Sequence, residues 1–125
     1  MWNVYIMEVL NFSKNHPGKI EYYTGIAYSP SDNFKDIARN IIRRFHEHKA
    51  HYKSSWMNHT RKIPRRIVFV ENGFKNKYQA EKREYSIKKK SHNAKADLIE
   101  TFHKDYPHLS DWLDNYFYRY GRFCY

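Results

Sequence analysis

Two tyrosines lie in short β-prone runs near the start of the chain, Tyr5 in Asn3-Val4-Tyr5-Ile6 and Tyr23 in Tyr22-Tyr23-Thr24-Gly25. A polar break containing Asn15, His16, Pro17 and Gly18 separates the runs, which predicts two antiparallel strands joined by a turn. Side chains alternate along a strand, so such a pair can bring both phenols to one sheet face. Two phenols become a site only with an arginine, a histidine, a carboxylate and a basic surface around them, and the chain downstream supplies all four.

Arg44 and His48 are one helical turn apart and share a face. They line up with Ile37 and Ile41, at the edge of an apolar stripe, where a charged head reaches a cleft while its stem packs. The plainer reading of the pair is a snorkelling arginine and a solvated histidine. Glu84 falls in line with Ala80 and Ile87 on the core-facing side of a later helix, whereas Glu81, Lys82, Lys88 and Lys89 have polar surroundings. A carboxylate so placed must be paired, with Arg44 or Lys95 as candidates, or must hold a metal. One carboxylate suits one hard cation, Mg²⁺ or Mn²⁺, bound mainly through water and substrate phosphate. His46, His48, His51 and His59 invite a zinc reading, but His46 and His48 point to different sides of a helix and no cysteine stands nearby. Nucleophile-bearing turns and phosphate-cradling glycine loops are absent.

These residues need a scaffold, and 125 residues argue for one domain with a modest core. Lys plus Arg outnumber Asp plus Glu by 23 to 13, a net charge of +10. A compact domain that basic most often meets a polyanion, nucleic acid first. The single cysteine, Cys124, rules out an intrachain disulfide and a thiolate metal cluster. No leader pattern or membrane-spanning run is seen, which predicts a soluble, cytoplasmic protein without a membrane partner.

Residues 2–10 read as a first strand and 20–27 as a second. Ser29-Pro30-Ser31-Asp32-Asn33 is a turn offering an N-cap, and Phe34, Ile37, Ala38, Ile41, Ile42 and Phe45 trace an amphipathic helix. Residues 50–65 read as polar and irregular. Residues 66–70 read as a third strand closed by Asn72-Gly73, and 77–90 as a second helix. Asn93 is expected to cap a third helix ending at Tyr106-Pro107, and Ser110 a fourth that Gly121 stops. The expected class is α+β: a small three-stranded antiparallel or mixed sheet flanked by helices, in the order β-β-α-β-α-α-α.

Val4-Tyr5-Ile6, Tyr23-Thr24-Gly25, Arg43-Arg44 with His48, Thr60 with Pro64, Glu84 with Lys88, and Lys95-Ala96-Asp97-Leu98-Ile99 occur in that order. Together they resemble the GIY-YIG nuclease family, especially its small stand-alone members, over residues 2–99. The family's first glycine is replaced by Asn3, and the interval between Gly25 and Arg43 is longer than in typical small members. The resemblance implies a nuclease domain over 1–99 and a metal-dependent DNA endonuclease acting on duplex or branched DNA. It also implies roles. Tyr5 would be the general base for the attacking water, and Tyr23 would hold the water or phosphate. Arg44 would neutralise developing phosphate charge, and His48 would orient Tyr5 or receive its proton. Glu84 would bind one Mg²⁺ or Mn²⁺ ion. The alternative is a nucleic-acid-binding module of the same fold that has lost catalysis.

Phosphate contacts are expected from Lys49, Lys53, Arg61, Lys62, Arg65 and Arg66 around the site, and from a second patch at Lys88, Lys89 and Lys90. Tyr52 and Trp56 lie among them and either stack on an unpaired base or pack on the domain. Residues 100–125 lie outside the resemblance. Their aromatic run, Tyr116-Phe117-Tyr118-Arg119-Tyr120, suits a helix packed on the domain or an interface with a second copy or protein partner.

Overall fold

The computed structural model describes residues 1–11, 19–51 and 62–124. Its elements are β1 (Trp2–Asn11), β2 (Lys19–Tyr28), α1 (Phe34–His51), β3 (Lys62–Phe74), α2 (Lys77–Lys88), α3 (His92–Asp105) and α4 (Pro107–Cys124). The chain is α+β, and the order is the one expected. The strands form one antiparallel sheet in the order β2-β1-β3. β1 therefore lies in the middle with neighbours on both edges, which explains its dense run of large side chains. Val4, Tyr5, Ile6, Met7 and Val9 are all fully enclosed.

Strand β3 is longer than its apolar run. Lys62, Ile63 and Pro64, which the sequence suggests are irregular, pair with Asn11, Leu10 and Val9 at the end of β1, and Arg65 falls where the register shifts. Pro64 is tolerated because β3 is an edge strand, so its missing N–H breaks no second ladder. Asn72-Gly73 does not close the strand either. Trp2 pairs with Phe74 but Val4 with Glu71, so β3 carries one extra residue there, and Gly73 absorbs it at φ +95°. A dipeptide that reads as a turn is here a bulge.

The helices start where side chains can receive their first N–H groups. Asn33 caps α1, its Oδ1 accepting from Lys35 N–H at 2.8 Å. The expected stripe faces inward, with Ile37, Ala38, Ile41 and Phe45 buried. Asn76 caps α2 through Gln79 N–H at 2.9 Å. Helix α3 is capped by Ser91, not Asn93: Ser91 Oγ accepts from Ala94 N–H at 3.1 Å. Helix α4 begins at Pro107, three residues before the expected cap. A proline in the first turn forfeits no helical hydrogen bond, whereas buried Ser110 turns its hydroxyl to His103 Nδ1. Gly121 does not stop α4, which runs on to Cys124. Leu113 and Phe117 fix this helix to the rest of the core, Phe117 meeting Phe45 edge-on at 4.7 Å.

Candidate active site

The register of β1 on β2 sets the site. Tyr5 pairs with Gly25 and Met7 with Tyr23. Paired residues share a face, so Tyr5 and Tyr23 are diagonal neighbours on one side of the sheet. Gly25 gives the Tyr5 ring its room. A Cβ at that position would lie 2.5 Å from Tyr5 Oη and 2.6 Å from Cζ, so the phenol lies across a backbone that can bear no side chain.

Helix α1 brings Arg44 and His48 to this face. Tyr5 Oη and His48 Nε2 are 3.0 Å apart in a buried hydrogen bond. Tyr5 is fully enclosed and His48 only 6% exposed. The Tyr23 ring meets His48 edge-on at 5.2 Å. Arg44, with a side chain 43% exposed, leaves the cluster towards solvent and is steadied by Glu47 at 2.9 Å. Glu47 also pairs with Arg43 at 2.6 Å. An open groove lined by Trp2, Tyr28, Arg43, Arg44, Glu47 and Lys77 leads to Arg44.

Burial dominates the proton affinities. It raises the Tyr5 phenol well above the usual tyrosine range; Tyr23 and Glu84 add to the rise, and Arg44 opposes it. Tyr23 is also raised, by burial and then Glu84, again against Arg44. Burial lowers His48 to about 4; the Arg44 charge adds to this and Glu47 partly offsets it. Burial disfavours the Arg44 charge, but its hydrogen bond to Glu47 and the fields of Tyr5, Glu47 and Tyr23 outweigh that and raise it. At neutral pH the cluster is therefore two phenols, a neutral imidazole and a permanent cation.

Glu84 comes from α2, in line with buried Ala80 and Ile87 as its spacing indicates. Its side chain is 20% exposed and pairs with Lys88 at 3.5 Å, rather than with Arg44 or Lys95. Among the described residues no three His, Cys, Asp or Glu side chains converge as a metal-holding group. A lone, partly open carboxylate fits the donor set of Mg²⁺ or Mn²⁺, which keep several waters and take the rest from phosphate. It also lies where its negative charge raises both phenols, a place where a cation would be welcome.

The basic residues divide. Arg65 is exposed, and Lys62 opens β3. Lys49 is half-buried, and its charge helps lower His46. Arg66, its side chain 43% exposed, is taken up by acids of the domain, binding Glu8 at 3.2 and 3.3 Å and lying 3.7 Å from Asp114. Lys53, Arg61, Tyr52 and Trp56 lie outside the described residues. His46 and His48 do face different partners: His46 Nε2 is 2.7 Å from Tyr116 Oη on α4.

Three contributors escaped the sequence reading. Glu47, three and four residues after Arg44 and Arg43, was visible as helical spacing. Gly25 stands out in sequence only as the end of the Tyr23-Thr24-Gly25 run, and its service to Tyr5 depends on register. Asn3, where the resembling family has glycine, is buried and donates to Ala27 O at 3.2 Å and Ser29 Oγ at 3.0 Å. It thereby ties the end of β2 to the turn that leads into α1.

No family model matches the chain, and neither does any curated protein or solved structure.

Proposed function

We propose that this chain is a divalent-metal-dependent DNA endonuclease of the GIY-YIG type, with Tyr5, Tyr23, Arg44, His48 and Glu84 as its working residues. The observation that carries the reading is the buried Tyr5–His48 hydrogen bond at 3.0 Å, with Arg44 beside it and open to solvent. A tyrosine kept only for packing would not need a neutral imidazole and a guanidinium at its hydroxyl.

Both members of that bond are neutral at pH 7. With the imidazole hydrogen on Nδ1, His48 Nε2 accepts from the Tyr5 hydroxyl, and this is the tautomer a proton relay requires. Tyr5 then takes a proton from the attacking water as its own passes to His48. A buried phenol that rarely ionises is a strong base once its proton is drawn away. Tyr23, held at the edge of the His48 ring, orients the water or a phosphate oxygen. Arg44 meets the charge that develops on the scissile phosphate, commonly the largest single contribution. Glu84 would hold one Mg²⁺ or Mn²⁺ ion, which when bound supplies Lewis-acid stabilisation of the departing 3′ oxygen. The groove lined by Arg43, Arg44 and Lys77 suits a phosphate backbone.

One observation favours the second reading, a nucleic-acid-binding module without catalysis: Tyr5 has no exposed surface, so water reaches it only if the site opens. Cleavage of supercoiled plasmid and of branched DNA with Mg²⁺ or Mn²⁺, comparing wild type with Glu84→Ala, separates the two. Cutting by the wild type alone supports the nuclease and its metal ligand. Equal cutting refers the activity to another site or a contaminant. Binding by both with cleavage by neither establishes the module.

A further inference from the structure

Helix α2 carries apolar side chains on opposite sides. Ala80 and Ile87 are buried, while Tyr78 and Tyr85 are 67% and 61% exposed. At about 100° per residue, Tyr78, Lys82, Tyr85 and Lys89 fall within about 60° of one another, facing away from Ala80 and Ile87. The four alternate along the helix as ring, ammonium, ring, ammonium. Lys82 Nζ stands 5.2 Å from the centre of the Tyr78 ring, and Lys89 Nζ 4.1 Å from that of Tyr85. Each ring thus holds a cation in place while most of its surface stays open. Charge for solubility alone would call for the lysines and not for two exposed phenols. Lys77 and Lys88 extend the positive charge on the side that leads to Glu84. The acid near the stripe, Glu81, is engaged by Lys77 at 3.8 Å.

We propose that this stripe is a platform for single-stranded DNA. An unpaired base presents a π-face to a tyrosine ring, and the phosphates beside it meet the ammonium groups. Duplex DNA hides its base faces and would gain nothing from the rings. Tyr78 and Tyr85 are two turns apart, about 10.5 Å along the axis. That is roughly three stacked steps of 3.4 Å, so each ring takes its own base. The inference deepens the nuclease reading and rests on it for its purpose: unpaired DNA on α2 would lie on the helix that carries Glu84. Branched substrates, which combine duplex and single strand, are then favoured.

The test is binding by the full chain in EDTA, so that no readout depends on cleavage. A labelled single-stranded oligonucleotide is compared with one of equal length in which abasic sites replace the bases. Wild type should prefer the strand with bases by about tenfold or more for each stacked base. Tyr78→Ala with Tyr85→Ala should abolish the preference, while Tyr78→Phe with Tyr85→Phe should keep it. Lys82→Gln with Lys89→Gln should weaken both strands alike and flatten the salt dependence by about 0.7 per lost phosphate contact. Equal wild-type binding of the two strands, or an unchanged preference in the double alanine variant, would overturn the proposal and leave the Glu84 cleavage result standing. Base-dependent binding by a protein that cuts nothing would support the platform while the nuclease reading fails.

Discussion

Gly25→Ala separates the steric logic of the site from its chemistry. Glycine at this position has no left-handed backbone, since among the described glycines only Gly73 has positive φ. Alanine can adopt the same conformation, so the effect comes from the new methyl group alone. That methyl would lie 2.5 Å from Tyr5 Oη and 2.6 Å from Cζ. The ring cannot swing away, because Tyr5 is enclosed on all sides. Restoring ordinary contact requires it to move by about 1 Å, which stretches the 3.0 Å bond to His48 beyond hydrogen-bond length. Overpacking of this kind costs about 1–3 kcal/mol. The stiffer unfolded chain returns about 0.4–1 kcal/mol. The net loss of about 1–2 kcal/mol should lower Tm by several degrees in thermal unfolding followed by circular dichroism. Displacing a catalytic group by 1 Å costs about 100-fold in rate, so cleavage should fall further than the loss of stability explains. Gly73→Ala is the contrast. Nothing lies within 4 Å of its Cβ, but φ is +95°, so it should cost about 1–2 kcal/mol through the backbone and leave cleavage intact. A Gly25→Ala protein with wild-type Tm and wild-type rate would refute the close approach of Tyr5 to that backbone.

Acid should act through His48. Its folded pKa of about 4 lies below the ordinary 6.5, so the unfolded chain binds the extra proton first, and stability rises with pH between these values. The contribution is complete above pH 6.5 and is lost as pH falls towards 4, about 3 kcal/mol in all. Urea titrations from pH 4 to 7 should show that slope, and His48→Gln should flatten it. Arg66→Ala should remove two charge-assisted bonds from Glu8, a carboxylate 6% exposed, and cost about 2 kcal/mol in urea unfolding. The relay starts from a protonated Tyr5 and a neutral His48, so log cleavage rate should be level from about pH 6 to 8 and fall as pH drops towards the His48 pKa of about 4. A rate that climbs steadily through pH 8 would contradict the relay.

Much of this arrangement was legible in the sequence because it is local or periodic. Two β-prone runs around a polar break placed Tyr5 and Tyr23 on one face, and helical spacing put His48 beside Arg44 and turned Glu84 inward. What escaped depends on partners distant in the chain. Lys62 to Pro64 look irregular alone and become strand by pairing with β1. Arg66 reads as a free cation until Glu8 and Asp114 come beside it. Asn72-Gly73 and Pro107 are ambiguous by nature, since a turn and a bulge, or a stop and a first helical turn, use the same residues. The Tyr5–Gly25 contact follows from register, which one sequence does not display. Nuclease activity, the metal ion and DNA as partner stay proposals built on this geometry.

Tyr5→Phe tests the central claim most directly, because it keeps the buried ring and removes only the hydroxyl that meets His48. Single-turnover cleavage of plasmid with saturating Mg²⁺ should fall at least 100-fold while the unfolding transition stays cooperative. A wild-type rate from the phenylalanine protein would contradict the assignment of Tyr5 as the base.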